Sequence, residues 1–200
     1  DASKKNIEVA KFHLHRVLEL EPANVDAHIR AGQFAMEEER WEEAFIAWGL
    51  VRRLYPSHPT ASLHVAQTLL AMQRPEAARP LLKEYLDRMD SNADQDEKLL
   101  VAELLLSAEE PTMASSLLAP LCKELDDQDP KKVVCLRLLA VTLFKSGKLD
   151  EGAAVSRKVL RFDPQCISSI HNLALAGLSN HRYRSSWGWV RRGLAIDPHD

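Results

Sequence analysis

The most constraining feature of this sequence is a short motif that returns at a fixed interval. Four similar segments, each with an apolar or aromatic residue two positions before a proline, end at Pro22, Pro56, Pro164 and Pro198. The first two prolines are 34 residues apart, as are the last two, and 108 residues separate the middle two, or three periods of 36. Proline cannot donate a hydrogen bond to the preceding turn, so each motif predicts the end of a helix. Self-similarity at such a period indicates a repeat architecture.

Small residues recur at two positions within this period. Repeats are counted here from Val25, Pro59, Gln95, Val133 and Ile167. The eighth residues are then Gly32, Ala66, Ala102, Ala140 and Ala174. The twentieth residues are Ala44, Ala78, Ala114, Gly152 and Ser186, with Ala10 in a partial repeat before them. Two helices can approach closely only where their side chains are small, so this pattern predicts antiparallel helix pairs.

The spacing and residues resemble the tetratricopeptide repeat (TPR), a unit of about 34 residues with the pattern W-x2-L-G-x2-Y, A-x3-F and P. The second repeat fits best, through Gly32, Trp41, Ala44, Trp48 and Pro56. The resemblance implies an all-α fold, a right-handed α-solenoid of antiparallel helix pairs. We expect one array made of a half repeat, 1–24, and the repeats 25–58, 59–94, 95–132, 133–166 and 167–200. Trp48 is expected to be largely buried. Because the array begins mid-repeat and ends without a polar capping helix, we expect an excerpt of a longer protein; the alternative is a partner that covers the ends.

Eleven helices are predicted from these signals. Gly147 suits a residue with positive φ between two helices, and Pro75 and Pro111 suit the first turn of a helix. The longest connections are expected at 90–94 and 126–130. The predicted helices are 4–20, 25–38, 41–55, 59–72, 75–89, 95–108, 111–126, 132–146, 149–162, 167–179 and 183–196.

Composition excludes several classes of protein. The apolar fraction of 46% and the net charge of −3 are those of a folded chain rather than a disordered one. There is no apolar run long enough to span a membrane. The three cysteines lack metal-site spacing and indicate neither a disulfide framework nor a zinc site. Cys122 and Cys135 fall in different predicted helices and, like Cys166, are interpreted as small, semi-buried apolar residues.

Charge is distributed unevenly along the chain. Residues 1–130 carry a net charge of −10, and residues 131–200 carry +7. With both ends uncapped, this asymmetry predicts head-to-tail self-association that weakens with salt. The acidic N-terminal two thirds would repel a nucleic-acid backbone, so nucleic acid is not the expected partner.

No catalytic motif is present in the sequence. It lacks a P-loop, a dinucleotide-binding glycine motif, a zincin motif and a nucleophile elbow. His13 and His15 are two residues apart and would point to different faces of a helix, so they do not form a metal site. We therefore expect a cytoplasmic protein that is not an enzyme and that has no cofactor and no metal.

Function is then expected from a surface. The resemblance implies that the first helix of each repeat lines a concave groove, and the chain is interpreted as a scaffold that binds a peptide or helical segment of a partner protein. The predicted groove residues are Arg30, Gln33, His64, Gln67, Leu99, Leu138, Val141, Phe144, His171, Asn172 and Leu175. The Lys/Asn pair with which chaperone-binding TPR proteins grip a carboxylate is missing.

A secondary surface is predicted near the C-terminus, where arginines flank two tryptophans. Its residues are Arg184, Trp187, Arg191 and Arg192. Arginine beside an aromatic ring is compatible with nucleic-acid stacking or with an interface anchor, and Trp189 is compatible with packing against a following repeat. Two alternative functions stay open: the recognition arm of a larger enzyme, such as a glycosyltransferase, and an RNA-associated helical-repeat protein.

Overall fold

The computed structural model describes residues 2–90 and 93–197, and every regular element in these ranges is an α-helix. No helix end lies more than two residues from its predicted position, so the predicted all-α fold of helix pairs is confirmed. Pro198, which was predicted to end a helix, lies outside the described residues. The helices are α1 (Ala2–Leu20), α2 (Val25–Glu37), α3 (Trp41–Leu54), α4 (Ala61–Ala71), α5 (Pro75–Arg88), α6 (Gln95–Ser107), α7 (Pro111–Glu124), α8 (Pro130–Lys145), α9 (Leu149–Phe162), α10 (Ile167–Ser179) and α11 (Tyr183–Ile196).

The helices belong to two compact units, one ending at Asp90 and the other beginning at Ser91. The boundary falls in the connection at 90–94, where a long loop was predicted. In the first unit α3 packs against both α2 and α4, and α4 packs against α5. In the second unit α8 contacts α6 and α10 as well as α7 and α9, so α6, α8 and α10 form one layer of first helices. A single continuous array stays a prediction.

The chain reverses inside each helix pair at one residue whose backbone adopts the left-handed conformation. Gly147 has a φ of 75°, as its place in the sequence predicted. The fifteenth residue of the other four repeats also has positive φ, although none is glycine: Glu39, Gln73, Glu109 and His181. The next residue closes the turn by donating to the carbonyl five positions back, as Arg40 N does to Ala35 O at 2.8 Å. This is the Schellman geometry, and it fixes where the second helix of each pair begins.

Trp48 forms the centre of the core in the first unit. Its side chain is 1% exposed, which confirms the expected burial. The indole Nε1 donates to Met36 Sδ at 3.2 Å, and the ring stacks on His64 with centroids 4.1 Å apart. A Cβ on Gly32 would lie 2.6 Å from Nε1. The small eighth residue of this repeat is therefore required by the indole ring of the next helix.

Gly32→Ala is expected to lower the free energy of unfolding by about 1–2 kcal/mol, because the added methyl group overlaps the fully buried ring of Trp48. Gly49→Ala is the matched control in the other helix of the pair, where a Cβ would meet no atom within 4 Å. This control should raise stability by about 0.5–1 kcal/mol through helix propensity alone. Chemical denaturation of both variants measures the difference. Equal effects of the two substitutions would contradict this packing.

Cys122 and Cys135 are joined by a disulfide, with their Cα atoms 5.7 Å apart. The interpretation of these two residues as unpaired apolar cysteines is therefore wrong. The last turn of α7 lies beside the first turns of α8, because a short connection reverses the chain between these two antiparallel helices. Cys166 is free and buried, as expected.

Candidate functional site

The first helices of the second unit leave one apolar face uncovered. On α8, Val134 is 41% exposed and Leu138 and Val141 are half-buried. On α10, Leu175 and Leu178 are 54% and 48% exposed. The spacing of three or four residues places these side chains on one side of each helix. We call this surface, made of Val134, Leu138, Val141, Leu175 and Leu178, the α8–α10 face.

Polar residues border the α8–α10 face. Arg137 and Lys145 are exposed at the same helical spacing on α8, and His171 is exposed one turn before Leu175 on α10. Asn172 is half-buried beside them. An apolar strip with a mixed polar border can bury partner side chains and also hydrogen-bond to a partner backbone.

Seven predicted groove residues lie in this unit: five are on or beside the α8–α10 face, and two pack against neighbouring helices. Leu138, Val141, His171, Asn172 and Leu175 are exposed or half-buried, on or beside the α8–α10 face.

Leu99 and Phe144 have a packing role in the structure. Leu99 is 8% exposed and belongs to the core formed with α7 and α8. The ring of Phe144 packs so closely on Gly152 that a Cβ there would lie 2.6 Å from it. The ring also packs against a core cluster that includes Ala153. Leu99 therefore joins α6 to α7 and α8, and Phe144 joins α8 to α9.

The predicted groove residues of the first unit pair with each other. Arg30 Nη1 donates to Gln33 Oε1 at 3.1 Å on the exposed side of α2. On α4, His64 Nδ1 and Gln67 Oε1 are 2.8 Å apart. Burial against Trp48 lowers the pKa of His64 below its usual value, and this outweighs the hydrogen bond that His64 Nδ1 donates to Gln67, which raises the pKa. This shift favours the neutral form of His64, which offers no charge to an anion.

The secondary surface on α11 presents an aromatic and apolar stripe. Tyr183, Trp187 and Leu194 are 61%, 62% and 43% exposed and recur at helical spacing. Arg184 and Arg191 are exposed on the same helix. The sequence identified Trp187 and the arginines but did not identify Tyr183 and Leu194 as their neighbours.

Arg192 and Trp189 are engaged within the second unit. The guanidinium of Arg192 lies 5.5 Å from the ring centre of Trp189 and donates to Pro164 O at 2.7 Å. Trp189 is half-buried and packs against the cluster of Ala153, Leu173 and Ala176, which precede it in the chain. Of the two tryptophans, Trp187 is thus the one available to a partner.

Residues 2–90 and 93–197 contain no helix that is both long and apolar enough to cross a membrane. In the same part of the chain, no three His, Cys, Asp or Glu side chains gather in a way that could hold a metal ion.

Solved structures share this fold, although no protein-family model and no curated protein matches the chain. YrrB, described as a TPR protein with an unusual peptide-binding site, superposes with a TM-score of 0.73 at 16% identity, covering 92% of each chain. MamA from Desulfovibrio magneticus RS-1 has a TM-score of 0.71 at 13% identity over 88% of this chain and 96% of its own. A putative kinesin light chain from Podospora anserina, with TPR-like repeats, has a TM-score of 0.65 at 15% identity over 88% and 95%. These likenesses show that the chain has the TPR fold.

Proposed function

We propose that this protein is a binding scaffold that holds a peptide or helical segment of a partner protein on the α8–α10 face. The observation that carries the proposal is the uncovered row of apolar side chains on two neighbouring helices, with Leu175 and Leu178 about half exposed. Contiguous exposed apolar surface on a folded protein marks an interaction site more often than scattered single residues do.

The spacing of the exposed residues suits a helical or extended segment with regular apolar anchors. Val134, Leu138 and Val141 repeat at four and three residues, so they form a continuous apolar row along α8 against which the apolar side of a partner segment can lie. Leu, Phe or Met side chains in the partner would bury against this row. The description of YrrB as a protein with a peptide-binding site, on the same fold, supports a peptide ligand.

Most of the affinity should come from apolar burial, so binding should depend little on salt. Near the apolar row, α8 carries the exposed charges of Arg137 and Lys145, while Lys131, one turn before Val134, is paired with Asp96 at 2.8 Å. A ligand held by ion pairs would instead lose affinity steeply as ionic strength rises.

Leu175→Gln is expected to weaken peptide binding by about 1–2 kcal/mol, because it removes an apolar contact that becomes buried in the complex. Peptides would be selected from a random library on the whole chain and measured by fluorescence anisotropy at two salt concentrations. Leu194→Gln is the matched control, since Leu194 is also an exposed leucine but lies on α11.

The two variants separate the candidate surfaces. Loss of affinity with Leu175→Gln alone supports the α8–α10 face. Loss with Leu194→Gln, Trp187→Ala or Arg191→Glu alone would move the binding site to α11 and contradict the proposal. Circular dichroism of each variant checks that helical content is unchanged.

A further inference from the structure

A cavity of about 680 Å³ lies between α7, α8 and α9 in the second unit. The α8 residues that line it are Lys132, Leu136 and Leu139. By helical periodicity they lie on the opposite side of α8 from Val134 and Leu138, so this cavity is separate from the α8–α10 face. Its volume falls within the range of about 300–1,000 Å³ that is typical of small-molecule sites.

The wall of the cavity is apolar. Leu136 and Leu139 are buried, with 5% and 8% exposure, and Val155 is half-buried above them. Cys122, one half of the disulfide, contributes a further apolar surface, and Phe162 is 39% exposed at the edge. A hydrocarbon chain or ring placed here would leave water without displacing any protein side chain from its partner.

The rim of the cavity is cationic. Lys123, Lys158 and Arg161 are exposed there, and none of these three side chains forms a hydrogen bond or ion pair with another described residue. A fourth cation is already compensated: Lys132 Nζ lies 3.1 Å from Asp127 Oδ1 and 2.7 Å from a backbone carbonyl. Three positive charges therefore surround the mouth of the cavity without a carboxylate partner.

We propose that this cavity binds an amphiphilic organic anion of the class of a medium-chain fatty carboxylate. The apolar chain lies along Leu136, Leu139 and Phe162, and the carboxylate meets Lys158 and Arg161. Charge complementarity requires an anionic head, because a neutral or cationic group would leave three like charges together at the rim. Arginine and lysine bind a carboxylate through short charge-assisted hydrogen bonds. The limited volume favours a small molecule over a protein segment.

The probe is decanoate, titrated into the whole oxidised chain by isothermal calorimetry. We expect one molecule to bind per chain, while decyltrimethylammonium, with the same chain and the opposite charge, and acetate, with no chain, do not bind. Lys158→Gln and Arg161→Gln should each weaken decanoate binding about tenfold through the loss of one charge-assisted hydrogen bond. Phe162→Ser should weaken it through the apolar end of the site.

Arg157→Gln is the matched control, because Arg157 precedes Lys158 on α9 but lines a different surface beside Trp189. It should bind decanoate like the unsubstituted chain. The proposal is overturned if decanoate does not bind, if all the variants bind it equally, if decyltrimethylammonium binds as well, or if only an acidic peptide binds at this rim. Peptide binding at the α8–α10 face is measured separately, so failure here leaves the proposed scaffold function standing.

Discussion

Trp48→Ala is expected to lower the free energy of unfolding by about 3–5 kcal/mol. The indole is 1% exposed and is enclosed by Gly32 of α2 and His64 of α4, so its removal leaves a cavity shared by three helices. Gly32 lets the ring of Trp48 pack closely against α2, so removing the ring leaves empty space beside Gly32. Urea denaturation, followed by circular dichroism, measures the loss.

Trp187→Ala provides the matched control, because the same side chain is removed from a position that is 62% exposed. Its effect on stability should be below about 0.5 kcal/mol. A loss of less than about 1 kcal/mol for Trp48→Ala, or equal losses for the two variants, would show that the helix register of the first unit is wrong.

Reduction of the disulfide between Cys122 and Cys135 is expected to lower the free energy of unfolding by about 3 kcal/mol. The two cysteines are 13 residues apart. A cross-link that closes a loop of this size lowers the conformational entropy of the unfolded chain, which stabilises the folded state by about 3 kcal/mol. The measurement is urea denaturation with and without a phosphine reductant. A Cys122→Ala/Cys135→Ala double variant is the control and should not respond to the reductant.

A thiol count tests the disulfide independently. The unfolded, unreduced chain should expose one reactive thiol, from Cys166, and reduction should raise the count to three. Three thiols before reduction, or stability that is insensitive to the reductant, would contradict the cross-link. Disulfides persist mainly in oxidising compartments, so a count of one thiol before reduction would argue against the expectation of a cytoplasmic protein.

The helices were predictable because their signals are local and repeated. The 34-residue spacing of prolines, the small residues at two positions and Gly147 each restrict the backbone directly. The turns were only partly predictable: Glu39 and Gln73 adopt positive φ although their residue types disfavour it. Their conformation is imposed by the helix pair that each turn connects, because tertiary packing outweighs a local preference of about 1–2 kcal/mol.

The disulfide and the exposed fractions of individual groove residues could not be predicted, because they depend on contacts between helices. Cys122 and Cys135 lie in different helices, and only the reversal of the chain at 125–129 brings them together. Leu99 and Leu175 are both leucines at inward positions of first helices, yet Leu99 is 8% exposed and Leu175 is 54% exposed. The difference arises from their neighbours, since Leu99 packs against the core shared by α7 and α8.

The central claim, that a partner segment binds on the α8–α10 face, is tested most directly by methyl NMR of the whole chain with labelled leucine and valine. A library-selected peptide would be titrated in while the methyl resonances are followed. The proposal predicts chemical-shift changes at Val141, Leu175 and Leu178, with Leu20 and Leu194 unchanged. Changes confined to Leu194 and its neighbours on α11, or to Leu20 on α1, would contradict it.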